Sequence, residues 1–232
     1  MSTQQGIVRG DTLQRIASAA FIIGGVLAIV FNILAPRPAD PTSFESGLTA
    51  MTDRFVLYQL SHLMLALGMW GVMLGSAGVY RSITAGGAAW ARLGFYGIVV
   101  GTVLWSITFG LTAVGASAAA DWAAASAADK GTAYSIVAAT LNVGRGAYIM
   151  STLMFWLSLV LLGTGMARSS VYPRWLGWTG VALGIGVVAI VGIPQFFAGT
   201  VNTSSMLVFA GLATLTFVWL LVTGMWIARR AW

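Results

Sequence analysis

Apolar runs at about 15–34, 55–80, 91–115, 141–167, 174–198 and 205–228 leave this chain very little choice of fold. Each is long enough to cross roughly 30 Å of hydrocarbon as a helix rising about 1.5 Å per residue. In lipid no water pairs with a backbone N–H or C=O, and a helix satisfies both within itself. With 58% hydrophobic and only 8% charged residues, no segment remains that is polar enough to form a separate water-soluble unit. The expected fold is all-α: an integral membrane bundle of six transmembrane helices in one domain. Arg9 and Arg15 ahead of the first run give it the outline of a secretory signal. Pro36 would stand first after any cleavage, however, and the run is long enough to span, so it reads as an uncleaved first helix.

The charges orient the bundle. Arg9, Arg15, Arg81, Arg92, Arg168, Arg174, Arg229 and Arg230 fall at one end of the six runs. Arg37, Arg54 and Lys130 fall at the other, together with Asp40, Glu45, Asp53, Asp121 and Asp129. An excess of arginine in short loops marks the cytoplasmic side, so both termini are expected there, in a cytoplasmic (inner) membrane. In that setting the net charge of +6 serves orientation and anionic lipid rather than nucleic acid. The first, third and fifth runs open "QRIASAAFIIGG", "ARLGFYGIVVG" and "PRWLGWTGVALG", and the other three end "GMWGVMLGSAGVYR", "GTGMAR" and "TGMWIARR". That pattern fits three tandem helical hairpins. Gly68, Gly71, Gly75 and Gly78, Gly97 and Gly101, and Gly180 and Gly184 recur on helix faces, either for close packing within the bundle or for a homo-oligomer seam. Trp70, Trp90, Trp105, Trp156, Trp175, Trp178, Trp219, Trp226 and Trp232 read as interfacial anchors.

The strongly polar residues of the spans sort by height. Arg145 lies 23 residues before Arg168, which on a straight helix places it about 35 Å from the basic end. Asn32, Gln59, His62, Asn142 and Gln195 project to the same half, and the half beneath is nearly free of strong polar groups. Burying such groups in hydrocarbon costs several kcal/mol each unless they are paired or wetted, so the expectation is a shared polar cluster or cleft open to the outside. Each residue also has a plainer reading. Arg145 reaches the outer headgroups, His62 and Gln59 join helices by hydrogen bonds, and Asn32 and Gln195 cap helix ends beside Pro36 and Pro194. Asp53 and Arg54 are expected to cap and anchor the start of the second span. The stretch "GASAAADWAAASAADKGTAYS" is alanine-rich enough to form a helix lying on the surface or capping the cleft.

Much chemistry is excluded. Without cysteine there are no disulfides, thiolate metal sites or iron–sulfur clusters, and the single histidine rules out bis-histidine haem and a multi-histidine metal centre. No span carries an interior carboxylate for ion coupling, and no phosphate-binding or dinucleotide glycine motif is present. No cofactor and no metal ligand is assigned. Three functions stay open: an accessory or structural subunit of a membrane complex, placed first; a small-molecule or lipid binding protein whose pocket draws on Asn32, Gln59, His62, Asn142, Arg145 and Gln195; and an enzyme with an extracytoplasmic site. In the third, His62 would be acid or base, Glu45 or Asp53 its orienting carboxylate and Arg145 an anion clamp. The expected partners are membrane lipids, with a membrane protein partner or a second copy of the chain also open.

The turn "VYPRWLGWTGVALGIG", Val171 to Gly186, with its "GTGMARSS" approach, resembles the inner turn of uncharacterised bacterial six-helix membrane families. Pro173 opens a helix where its missing N–H costs nothing, and Trp175 and Trp178 sit at headgroup depth. The resemblance implies a six-helix fold and carries no activity or functional residue.

Overall fold

The structure, a computed structural model, describes residues 11–40, 43–84, 86–198 and 203–232, without the side chains of 203–206. Arg9 lies outside this range. Its helices are α1 (Thr12–Leu34), α2 (Phe44–Asp53), α3 (Phe55–Ser82), α4 (Ala88–Ala124), α5 (Lys130–Ala167), α6 (Arg174–Val187), a π turn (Val188–Gly192), α7 (Ile193–Ala198) and α8 (Thr203–Ala231). Six helical stretches are long and apolar enough to cross a membrane, the π turn and α7 continuing α6 as one of them. α1 is started by Asp11, whose carboxylate accepts from the Leu13 N–H at 2.9 Å, and it stops before Pro36, which disfavours helical geometry at its neighbour. The π turn lies directly ahead of Pro194, whose ring would clash with the carbonyl four residues back.

The spans form a closed circle: α1 packs on α3, α3 on α4, α4 on α5, α5 on α6, α6 on α8, and α8 returns to α1. Of the three hairpin pairs, α1–α3 and α4–α5 pack along their length, whereas α6 and α8 touch over a shorter stretch. The glycines are spent inside the chain. A Cβ at Gly68 or Gly71 would meet α1 backbone at 3.0 Å or less, one at Gly101 would meet Phe155 of α5, and one at Gly180 would meet Trp219 of α8. The tryptophans divide in two. Trp70, Trp175, Trp178 and Trp232 are exposed as anchors should be, but Trp105 (5% exposed), Trp156 (1%) and Trp219 (4%) are interior. For these three the anchoring expectation is corrected. Trp105 and Trp156 lie 6.1 Å apart, edge to face, and with Phe109, Tyr148 and Phe209 they fill the middle of the circle, where flat rings cover more apolar area than aliphatic chains would.

The end away from the arginines departs most from expectation. The alanine-rich stretch is no separate surface helix: α4 runs on to Ala124, a tight turn follows, and α5 begins at Lys130. At 37 and 38 residues these helices are about 55 Å long, well beyond what a bilayer covers. Alanine has the highest helix propensity, and nothing between Gly115 and Ala124 breaks the ladder. Lys130 closes the hairpin, its ammonium donating to the Trp122 and Ala123 carbonyls at 2.7 and 3.2 Å while lying over the Trp122 ring. α2 braces the projecting hairpin through a small core of Leu48, Ala119 and Val137, flanked by Phe44 and Trp122. Asp53 ends α2 rather than capping α3, and α3 starts without a side-chain cap.

Candidate functional site

Helix α3 delivers Gln59 and His62 to its seam with α4. Gln59 Nε2 donates to the Ala113 carbonyl and to Ser117 Oγ, both at 3.4 Å. His62 Nδ1 lies 2.7 Å from the Tyr58 carbonyl. A carbonyl can only accept, so Nδ1 carries the proton and the neutral ring keeps its lone pair on Nε2. The imidazole packs on Tyr58 at 4.3 Å and against the edge of Phe109 at 6.0 Å. Glu45 and Asp53, the carboxylates that would have to orient it, are exposed on α2.

The other four predicted groups lie elsewhere. Gln195, 1% exposed, is turned from α7 toward α5, where it lies against Tyr148. Asn142 is exposed and Arg145 half-buried on α5, and Arg145 makes no side-chain hydrogen bond or ion pair with another described residue. Asn32 lies in a cleft between the upper parts of α1 and α8, where its carbonyl accepts from Arg37 Nη2 at 3.2 Å. The structure therefore joins Gln59 to His62 on one seam and leaves Gln195, the Asn142–Arg145 face and Asn32 in three further places.

That cleft exists because α1 and α8 are pressed together only lower down, at Gly25 against Leu221 and at Gly224 against Phe21. Above that contact they part. The resulting cavity, about 700 Å³, is walled by Ile33, Leu207, Leu212 and Leu215, floored by the bare backbone of Gly211, and rimmed by Asn32 and Arg37. Among the described residues its lining combines hydrocarbon walls with one cation at the mouth.

The basic end holds polar structure that height along the sequence did not reveal. Gln14, 2% exposed, donates from Nε2 to the Gly78 carbonyl of α3 at 3.0 Å. Tyr172, in the turn before α6, shares a 2.9 Å hydrogen bond with Ser82, whose hydroxyl donates to the Val79 carbonyl at 2.8 Å, so the phenol is the donor of the pair. Burial pushes the Tyr172 hydroxyl above its ordinary range, against the smaller pull of Ser82 and Arg230. Three arginines lie over indoles: Arg15 over Trp232, Arg168 over Trp90 and Arg230 over Trp226, at 4.8, 5.3 and 4.0 Å. The signal for Gln14 was its place at the start of an otherwise apolar helix. Tyr172 gave none beyond its loop.

Fold and sites together define a multi-pass helical membrane protein with its polar groups dispersed among helix seams. Comparison with family models, with curated proteins and with solved structures finds no match to this chain.

Proposed function

We propose that this is a non-catalytic protein of the cytoplasmic membrane, its arginine-rich end and both termini cytoplasmic, that holds a lipid or similar amphiphile in the α1–α8 cleft of the outer leaflet. One observation carries the reading: a cavity whose walls are hydrocarbon and whose rim is Arg37, held in place by Asn32. A phosphate-bearing headgroup meets the guanidinium while its acyl chain fills the gap between the helices. The tying-up of His62 by its own helix, with no carboxylate partner among the described residues, supports binding over catalysis. Positive-inside placement supports the orientation.

The test is Gly211→Trp. A Cβ there meets nothing within 4 Å, so the backbone at this lining position has room for a side chain, and an indole is expected to fill the cleft. Native mass spectrometry of the protein extracted in mild detergent should show a retained lipid on the wild type and none on the variant, with unfolding temperatures alike. An unchanged lipid complement in the variant would defeat the reading.

A second reading, a structural subunit of a membrane complex, is supported by the exposed Ile136 and Val143 in the long outer part of α5. Loss of a stable co-purifying partner on changing both to Ser would favour it.

A further inference from the structure

A second cavity lies at the basic end. Between the last turn of α5 and the first of α6, residues 168–173 fold back to leave a pocket of about 570 Å³, lined by Arg168, Ser169, Ser170, Tyr172, Arg174 and Trp178. The turn is braced from within: Ser169 Oγ donates to the Met166 carbonyl at 2.8 Å and accepts from the Tyr172 N–H at 3.4 Å, while Tyr172 is pinned to Ser82. The pocket walls are thus set without using either guanidinium. Among the described residues the Arg168 guanidinium is engaged only by the face of Trp90, and the Arg174 side chain makes no hydrogen bond or ion pair. Among the described residues no carboxylate lines the pocket. α6 begins with no side-chain cap and no acid in its first turn, so the partial positive charge of its N-terminus adds to the same field.

Two arginines lining one pocket without a carboxylate among its described lining residues select an anion, and planar guanidinium forks match the oxygens of phosphate. The surroundings select its source. Trp178 in the pocket and Trp175 beside it are both exposed on α6, at the end of a span where indoles meet glycerol and headgroups, so a soluble ion would leave their apolar faces unused.

We propose that this pocket binds the phosphate of an anionic phospholipid headgroup in the leaflet at the basic end, Arg168 and Arg174 gripping the phosphate and Trp178 lying against the glycerol region. The site is separate from the α1–α8 cleft, at the opposite end of the bundle, and stands or falls independently of it.

The test uses the full chain in phosphatidylcholine nanodiscs titrated with phosphatidylglycerol, and in detergent with inorganic phosphate, both read by native mass spectrometry. The double variant R168Q/R174Q should lose phosphatidylglycerol affinity by about tenfold or more, while Arg92→Gln, on the same end but outside the pocket, stays within about twofold. Should the double variant fail to fold, Arg174→Gln alone, on an exposed and unpartnered residue, is expected to lose several-fold. Gly211→Trp should leave this binding untouched. Equal loss in Arg92→Gln would reduce the effect to general basic charge and overturn the proposal, as would undiminished binding in the double variant. Binding of inorganic phosphate without phosphatidylglycerol would reassign the pocket to a soluble anion and overturn the lipid assignment.

Discussion

Gly24→Ala puts the α1–α3 seam under the most direct strain. A methyl at Gly24 would lie 2.7 Å from the Gly68 carbonyl oxygen and 3.1 Å from Gly71 backbone atoms, where ordinary contact begins at 3.4 Å. The obstructing atoms are backbone, so no side chain can swing away. The helices must part by about 0.7 Å, and a gap of that size forfeits a quarter to a half of each dispersion contact along the seam. With some 20 facing atom pairs at about 0.15 kcal/mol each, plus the distortion typical of overpacking, the cost is about 3 kcal/mol. Alanine returns up to about 1 kcal/mol in helix propensity, for a net loss of about 2 kcal/mol. Gly110→Ala on α4 is the control: nothing lies within 4 Å of its Cβ, so only the propensity gain of up to about 1 kcal/mol remains. Equilibrium unfolding of both variants in mixed micelles should separate them by 2 to 3 kcal/mol, roughly a hundredfold in equilibrium constant. Equal stabilities would refute the close α1–α3 approach and with it the packing of the circle.

Arg145→Leu should cost no more than about 1 kcal/mol in the same assay, since no described partner is lost; a loss of several would reveal pairing that this geometry does not contain. His62→Leu should cost about 1 kcal/mol, because the Tyr58 carbonyl keeps its helical donor and only a side-chain bond and ring packing go. Tyr172 holds its proton more tightly folded than unfolded, so its contribution is complete below the ordinary tyrosine pKa of 10.0 and falls as pH rises beyond it. Tyr172→Phe should flatten the alkaline loss of stability measured from about pH 10 upward, and an unchanged slope there would count against a buried phenol. Leu48→Ala, at the centre of the small core beneath α2, should cost about 2 to 4 kcal/mol locally and speed amide exchange at Ala119 and Val137 while the spans stay protected. Exchange at those amides as fast as in an unstructured peptide in the wild type would contradict the projecting hairpin.

Existence and order of the spans were legible because lipid leaves the backbone one solution, and the pattern of arginines showed which helix ends share a face. Distance along the axis was legible too: α5 runs unbroken from Lys130 to Ala167, as counting residues from Arg145 to Arg168 assumes. Azimuth was not. A ruler along the helix axis says how far Gln59 and Gln195 stand from the basic end, but not that one faces α4 and the other α5, since rotation about the axis is set by which glycines meet which neighbour. Hydropathy likewise cannot tell an alanine-rich helix in lipid from one in water, which is why α4 and α5 run past their expected ends. Trp105, Trp156 and Trp219 misled for a related reason: their distance from a helix end matched that of an anchor, while their side of the helix faced inward.

The seam that completes the circle joins α1 to α8, with Arg15 Nε donating to the Ala231 carbonyl at 3.3 Å. Ribosomes release the first of these helices long before the last. Until then the Phe21 side of α1 lacks its neighbour, and the nascent assembly is an open arc whose two free edges must be kept from mispairing by lipid or by insertion machinery. Closure of the circle thus waits for α8, and truncation within α8 should leave five inserted spans that never shut.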